Sequence, residues 1–325
     1  MYLQTTFTLA LTLDADKFEK IFSRACNSAE YSDEDEYVDK SMLNKGITVF
    51  YRDSQYKKKI KLAVNPAWLL DSNEANPDKL IRKLEKRIDD YFNSKYQLND
   101  FKLTGMHIST DIDVRDREKV AAYMKVLQRV GKVKGFSPPS EHRIDDDISF
   151  CLDGNSNGIE FAAYDLERLM KEQTGDTDYD RKQLKAITKK AEGLIRANVR
   201  LTKPKAIRAY TDEPGTAGQI ADLSDKSKNI FLDTFMRVVP FGNFHKKDEA
   251  VEIIRREVTD NILKRKMLRL LELIPEKKSL LLAQKALNYR DIDFVMATFG
   301  TIKLSPVTIS KRHDVRKLDN LYKYM

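Results

Sequence analysis

The segment ISFCLDGNSNGIEFAAYD (148–165) constrains the fold most strongly. Two β-type runs rich in Ile, Phe and Tyr flank an Asn/Gly turn, the pattern of a β-hairpin. Around it, strand and helix patterns interleave. YLQTTFTLALTL (2–13) reads as a strand, and Asp14 or Asp16 can cap the helix DKFEKIFSRACN that follows. Residues 31–40 are acidic, contain tyrosine and read as a loop. GITVFYR (46–52) and KKIKLAVNP (58–66) form a second hairpin. NPDKLIRKLEKRIDDYF (76–92) has proline near its start and Leu80, Leu84 and Ile88 at four-residue steps, which predicts a helix.

FKLTGMHISTDIDV (101–114) alternates as a strand. REKVAAYMKVLQRVGKV (117–133) is helical until near Gly131, and FSPPSEHRIDDD is a loop. DLERLMKEQ is helical or a strand exit, GDTDYD is a turn, RKQLKAITKKAEGLI begins as a helix, and LIRANVRLT (194–202) is a strand ending at Pro204. The order β α β β α β α β β (α) β points to an α+β fold: a mostly antiparallel sheet with helices on one face. The texture changes from about residue 215. TDEPGTAGQIADLSDKSKNI reads as a linker or exposed turn region. DEAVEIIRREV, NILKRKMLRLLELI and SLLLAQKAL then read as helices, the last two separated at Pro275. The expected division is an α+β domain over 1–212, a linker over 213–244 and a helical, basic domain over 245–325.

Composition narrows the function classes. Charged residues make up 33% and hydrophobic residues 41%, which excludes disorder as the main state. Two cysteines, Cys26 and Cys151, exclude a disulfide scaffold. No run approaches the ~18 apolar residues of a membrane span. The N-terminus lacks a basic region and cleavage site, so it reads as a strand rather than a signal peptide. A reducing, cytoplasmic setting follows, with no membrane partner. Neither G-x-G-x-x-G nor G-x-x-x-x-G-K-[ST] occurs, leaving a nucleotide fold of those kinds unsupported. The net charge is +8, and residues 241–325 hold 18 Lys and Arg against 11 Asp and Glu. A basic module beside a near-neutral one suits a polyanion, nucleic acid above all. A merely solvated Lys/Arg-rich face would have the same composition.

Three strands carry residues with chemical potential. In HISTDID, His107, Asp111 and Asp113 share parity and so share a face. An imidazole and two carboxylates on one face suit Mg²⁺ or Mn²⁺, although an exposed polar strand carries the same residues. In IEFAAYD, Glu160 and Tyr164 share a face. A tyrosine beside a carboxylate and a metal can attack a phosphodiester, while a half-buried tyrosine on an amphipathic strand is the plainer reading. In LIRANVRL, Arg196, Asn198 and Arg200 share parity, and their basic face suits phosphate or, more simply, solvent.

The succession of an LTGMHISTDID strand, a helix, an NSNGIEFAAYD strand, a helix and an LIRANVRL strand resembles the rolling-circle replication initiators of filamentous-type phages and of related plasmids and conjugative elements. The resemblance covers about residues 45–205. It implies an enzyme in which a metal-bound carboxylate cluster and a tyrosine nick single-stranded origin DNA and leave the protein attached to the 5′ phosphate. Carried over by position, Asp111 would be a metal ligand, His107 would stand where the family commonly has an acid, and Tyr164 would be the nucleophile. Three features depart from the pattern. Asn198 replaces the family glutamate, Leu166 follows Tyr164-Asp165 where Tyr-x-Lys is expected, and HIS holds one histidine rather than two. The metal site would then be rebuilt from His107, Asp111 and Glu160, or nicking would be degraded with DNA binding retained.

The tail resembles a helix-turn-helix. YRDIDFVMATFG precedes SPVTISKRHDVRKLDNLY, in which Ser305 or Thr308 would cap a helix presenting Ser310, Lys311, Arg312 and Arg316 to DNA. Lys264, Arg265 and Lys266 add a second basic cluster. The expectation is a DNA replication initiator acting on a single-stranded or hairpin origin, with Mg²⁺ or Mn²⁺ as cofactor. Its alternative is a non-catalytic DNA-binding regulator or structural protein on the same fold. Tyr123 and Tyr210 stay open as nucleophiles, and a homo-oligomer stays open as well.

Overall fold

The computed structural model describes residues 1–25, 29–33, 36–54, 58–72, 76–139, 148–154, 157–173 and 181–325. Strand β1 (Gln4–Leu13) leads into helix α1 (Ala15–Ala25), whose first turn is capped by Asp14 accepting from the Lys17 N–H at 2.9 Å. Strands β2 (Ala29–Asp33) and β3 (Glu36–Asp39) form one hairpin, and β4 (Ile47–Asp53) and β5 (Lys58–Val64) a second. The short α2 (Pro66–Leu70) and then α3 (Pro77–Phe92) follow. Helix α3 starts on an Asn76 cap with proline at its first position, and it buries Leu80, Leu84, Ile88 and Phe92 along one stripe. Strand β6 (Lys102–Asp113), α4 (Arg117–Val130), β7 (Ser149–Asp153), β8 (Ile159–Asp165), α5 (Leu166–Gln173), α6 (Arg181–Ala191) and β9 (Leu194–Leu201) complete the pattern.

Among the described residues nine strands form one antiparallel sheet in the order β2-β3-β4-β5-β1-β6-β9-β8-β7. Within it, β1-α1-β4-β5-α3-β6 makes the β-α-β-β-α-β arrangement with strand order β4-β5-β1-β6, the ferredoxin-like topology. The β2–β3 hairpin widens one edge, and β9, β8 and β7 widen the other. The α+β class read from the sequence, with a mostly antiparallel sheet and helices on one face, is the one observed.

Alternation sorts each strand into two faces. One face buries Phe7, Leu9, Val49, Tyr51, Leu62, Ile108, Phe161 and Val199 under helices. Phe18 of α1 packs edge-on against Tyr51, with ring centroids 6.2 Å apart, and Tyr91 of α3 meets the same ring through its hydroxyl at 2.6 Å. Each such buried apolar side chain contributes about 1.5–3 kcal/mol. The residues expected as an acidic loop at 31–40 are instead mostly hairpin. Tyr31 and Tyr37 stand opposite each other across it with rings 5.3 Å apart, a cross-strand aromatic contact that composition did not reveal.

The expected linker at 213–244 is also corrected. After α7 (Pro204–Arg208), which precedes it, the segment forms the 23-residue α8 (Thr216–Val238), which buries Ile220, Leu223, Phe231 and Phe235 against the sheet. Phe235 packs edge-on against Phe161 at 5.9 Å. Thr216 and Thr234 are buried with the apolar stripe while most other polar residues face outward, so the amphipathic period was diluted by Ser, Asp and Lys rather than absent.

The last quarter is helical as expected. It contains α9 (Lys247–Glu257), α10 (Asn261–Lys277), α11 (Leu280–Leu287) and α12 (Ile292–Thr301). It shares the core of the rest of the chain. Tyr123 of α4 donates to the Asp319 carbonyl at 2.6 Å, and Arg129 donates to the Thr308 carbonyl at 2.7 Å. Gly131 closes α4 at φ +57°, where a Cβ would lie 2.3 Å from the Lys278 carbonyl oxygen, so the close approach of α4 to the α10–α11 joint requires glycine.

The expected final helix with a Ser305 or Thr308 cap is not formed. Ser305 and Thr308 are buried, and the chain runs extended there, bonded to residues 243–245 through Ser305 N–H (2.8 Å) and Ile309 N–H (2.9 Å). Pro306 disfavours helix at the residue before it, and Val307, Thr308 and Ile309 are β-branched. Of the expected loop FSPPSEHRIDDD, residues 136–139 are described, with Phe136 bridged to Val133 and Ser137 to Asp153, while 140–147 lie outside the described residues, as do Asn155 and Ser156 of the Asn/Gly turn and the turn GDTDYD. Among the described residues no helix is long and apolar enough to cross a membrane.

If α8 is an integral layer of the core, Phe235→Ala lowers the stability of the whole chain by about 3–5 kcal/mol. The exposed neighbour change Met236→Ala stays within about 0.5 kcal/mol. Urea unfolding followed by circular dichroism checks both. Equal small effects would return the segment to a linker.

Candidate nucleic-acid interface

The second face of the sheet carries the residues that the sequence singled out. Strand register arranges them in cross-strand rows. Thr6, His107, Arg200, Glu160 and Asp153 form one row over β1, β6, β9, β8 and β7. Gln4, Ser109, Asn198, Ala162 and Cys151 form the next, and Asp111, Arg196, Tyr164 and Ser149 the third. His107, Asp111, Glu160, Tyr164, Arg196 and Arg200 therefore share one surface as parity predicts, with Asp113 one step further along β6 opposite Leu194.

Their contacts then separate them. Arg196 binds Asp111 through two parallel bonds, Nε to Oδ1 at 2.7 Å and a terminal nitrogen to Oδ2 at 2.8 Å. Bidentate pairing of this kind occupies both carboxylate oxygens, and the hydrogen bond to Asp111 raises the Arg196 pKa. Asp113 accepts from the Arg115 N–H at 2.8 Å, which ties it into the turn after β6. Among the described residues no three His, Cys, Asp or Glu side chains converge as a metal-binding group. A site with Asp111 neutralised by Arg196 and a second arginine, Arg200, two rows away does not fit a divalent cation.

Tyr164 is only 5% exposed. Burial first, and then the neighbouring Cys151, push its phenol pKa up, with Arg200 opposing them. The Cys151 thiol donates to its hydroxyl at 3.9 Å. A phenol held protonated and covered is a poor nucleophile in this conformation. Tyr123 is fully buried under the sheet, where its hydroxyl is spent on Asp319, so it stands away from this face. Tyr210, half-buried after α7, also has a raised pKa from burial.

The centre of the face is polar and incompletely satisfied. Asn198 is 5% exposed, and its Oδ1 and the buried Nε2 of His107 make no well-aligned hydrogen bond, although the two side chains lie within reach of each other. Burial, then the Arg200 charge, push His107 down to about 4, with Asn198 opposing and Arg196 adding to the drop. The imidazole is therefore neutral at pH 7 and offers one donor and one acceptor. Arg200 makes no ion pair among the described residues. Ser109, which sequence reasoning passed over, sits beside Asn198; the shared parity with His107 was its signal. Thr6 and Gln4 join the face only through the β1–β6 register, which no local pattern announces.

The basic residues expected to bind DNA from the last quarter lie elsewhere. Lys266 is paired with Asp291 at 2.6 Å and covers the Tyr289 ring at 5.3 Å. Arg265 is exposed and bonds the Asn261 carbonyl at 3.3 Å, and Lys264 is half-buried. Lys311, Arg312 and Arg316 are exposed on irregular chain that packs behind α4 and α8, so the helical layer separates them from the polar face. No protein-family model matches the chain, and no curated protein matches it either.

The His107 shift has a testable sign. Its folded pKa lies below the ordinary 6.5, so between pH 6.5 and about 4 the unfolded chain binds a proton that the folded chain refuses, and stability falls as pH falls through that window. Proton NMR should place the His107 midpoint near 4, and His107→Gln should flatten the stability profile between those limits. A midpoint near 6.5 would show the imidazole to be solvated.

Proposed function

We propose that the chain is a DNA-binding protein of the replication-initiator type that holds single-stranded or hairpin DNA on the polar face of its sheet, in a reducing cytoplasmic setting. The observation that carries the reading is a polar cluster on the second face of the sheet: the largely buried side chains of Asn198 and His107, beside an Arg200 that makes no ion pair among the described residues. An arginine with no ion pair among the described residues suits a phosphate oxygen, and neutral amide and imidazole groups suit sugar or base atoms. The reading favours binding over cleavage, because Asp111 is held by Arg196 and Tyr164 is covered.

A second reading, metal-assisted nicking by Tyr164, is favoured by one observation: Tyr164 lies directly opposite Arg196 and shares its face with His107, Asp111 and Glu160. Mg²⁺ or Mn²⁺ would belong to that reading, and it needs a rearrangement that frees Asp111.

Replacing one phosphate-binding arginine lowers the slope of log K against log salt by about 0.7 for a single strand. Arg200→Gln should show that loss and weaken binding about tenfold in fluorescence anisotropy. Unchanged affinity and slope would remove the polar face from the DNA path. Incubation with labelled single-stranded DNA with and without Mn²⁺, run on an SDS gel, separates the readings. A metal-dependent covalent adduct absent from Tyr164→Phe would establish nicking. Salt-sensitive binding without an adduct is the outcome expected here.

A further inference from the structure

At the end of the sheet where β1 begins, an open pocket of about 570 Å³ adjoins the polar face. Two aromatic side chains on its wall are unusually exposed: Trp68 at 55% and Tyr2 at 47%. The remaining wall is rich in carboxamides, with Gln4, Asn44 and Asn65, and it includes Asp71. Asn65 accepts from the Trp68 N–H at 3.3 Å, which holds the start of α2 and leaves the donor end of that amide for a ligand. The lining contains no Lys or Arg.

We propose that this pocket takes one unpaired nucleobase of a DNA strand lying on the polar face, an inference that rests on the DNA-binding reading above. The division of chemistry supports it. The lining itself carries no cation, and Lys83 beside it is paired with Asp71 at 3.8 Å and bonds the Leu69 carbonyl, while aromatic rings stack on any base, and Asn and Gln match the donor and acceptor pattern of base edges. The cation for the backbone, Arg200, lies across the sheet. Gln4 belongs to both regions: it lines the pocket and stands opposite Ser109, which stands opposite Asn198. Two strand spacings separate Gln4 from Asn198, about 10 Å, so neighbouring nucleotides of one strand can reach both. The volume lies within the range that small ligands occupy.

Trp68 is the chain's single tryptophan, so its emission excited at long wavelength reports this pocket alone. The full-length protein is titrated with (dT)15 and with an abasic oligomer of equal length, while anisotropy of end-labelled versions gives affinity independently. The expected result is quenching of Trp68 by (dT)15 and none by the abasic oligomer. Trp68→Ala should weaken (dT)15 binding about tenfold, the lower part of the range for losing one stacked base, and should leave the abasic oligomer unaffected. Trp68→Phe should retain most of the affinity. Gln4→Ala, at an exposed position, should lose severalfold and guards against a folding defect in the tryptophan variant. Salt-sensitive (dT)15 binding that depends on Arg200, with Trp68 emission unchanged and Trp68→Ala binding like the parent, overturns the pocket and leaves the DNA reading standing. Failure of both oligomers to bind at low salt overturns the DNA reading, and the pocket with it.

Discussion

Strand β6 is the member on which the rest of the molecule depends. It pairs with β1 on one side and β9 on the other, and so joins the ferredoxin-like half to the three strands added beyond it. Its twelve residues alternate between Ile108 and Ile112, buried under helices, and His107, Ser109 and Asp111, turned to the polar face. A slip of one residue would move the isoleucines onto the polar face and the histidine into the core. The same register that secures the core therefore places Asn198 beside Ser109 and Arg196 beside Asp111. Core packing and site geometry are one constraint seen from two sides of the sheet.

Charge on that face is arranged against a cation. Arg196 cancels Asp111, burial and then Arg200 depress His107, and the position opposite Ser109 is filled by the neutral amide of Asn198. An acid at that position would have a nearby positive field and a buried setting. An amide leaves the field uncompensated, and the local balance favours an anion. The bidentate geometry gives the Asp111–Arg196 pair its persistence, because breaking it would strand two charges at a partly buried surface.

The helical side performs a different task. Helices α1, α3, α4 and α8 cover one face only, and the last quarter of the chain packs on α4 and α8 through Tyr123, Arg129 and Phe235. The excess positive charge of that quarter is thereby kept on the far side of the helical layer. Part of it is spent internally, as in Lys266 on Asp291 and Tyr289. Segment charge summed along a sequence does not locate an interface, because neighbours in sequence are dispersed over a surface and pairing is decided by folding.

Much of this protein was determined by its sequence alone. Local rules sufficed for the β4–β5 and β7–β8 hairpins, for the proline start and stripe of α3, for the end of α4 at Gly131 and for the α+β class, since each depends on residues a few positions apart. Parity within β6, β8 and β9 was enough to place His107, Asp111, Tyr164, Arg196 and Arg200 on one face. Tertiary structure decided what those residues do there. Whether Asp111 meets a cation or Arg196, whether Tyr164 is open or covered, and whether Ser305 starts a helix or lies extended all turn on partners tens of residues away. Strand pairing brings such partners within hydrogen-bonding distance, and the energies that choose among them are set by burial and register rather than by local pattern.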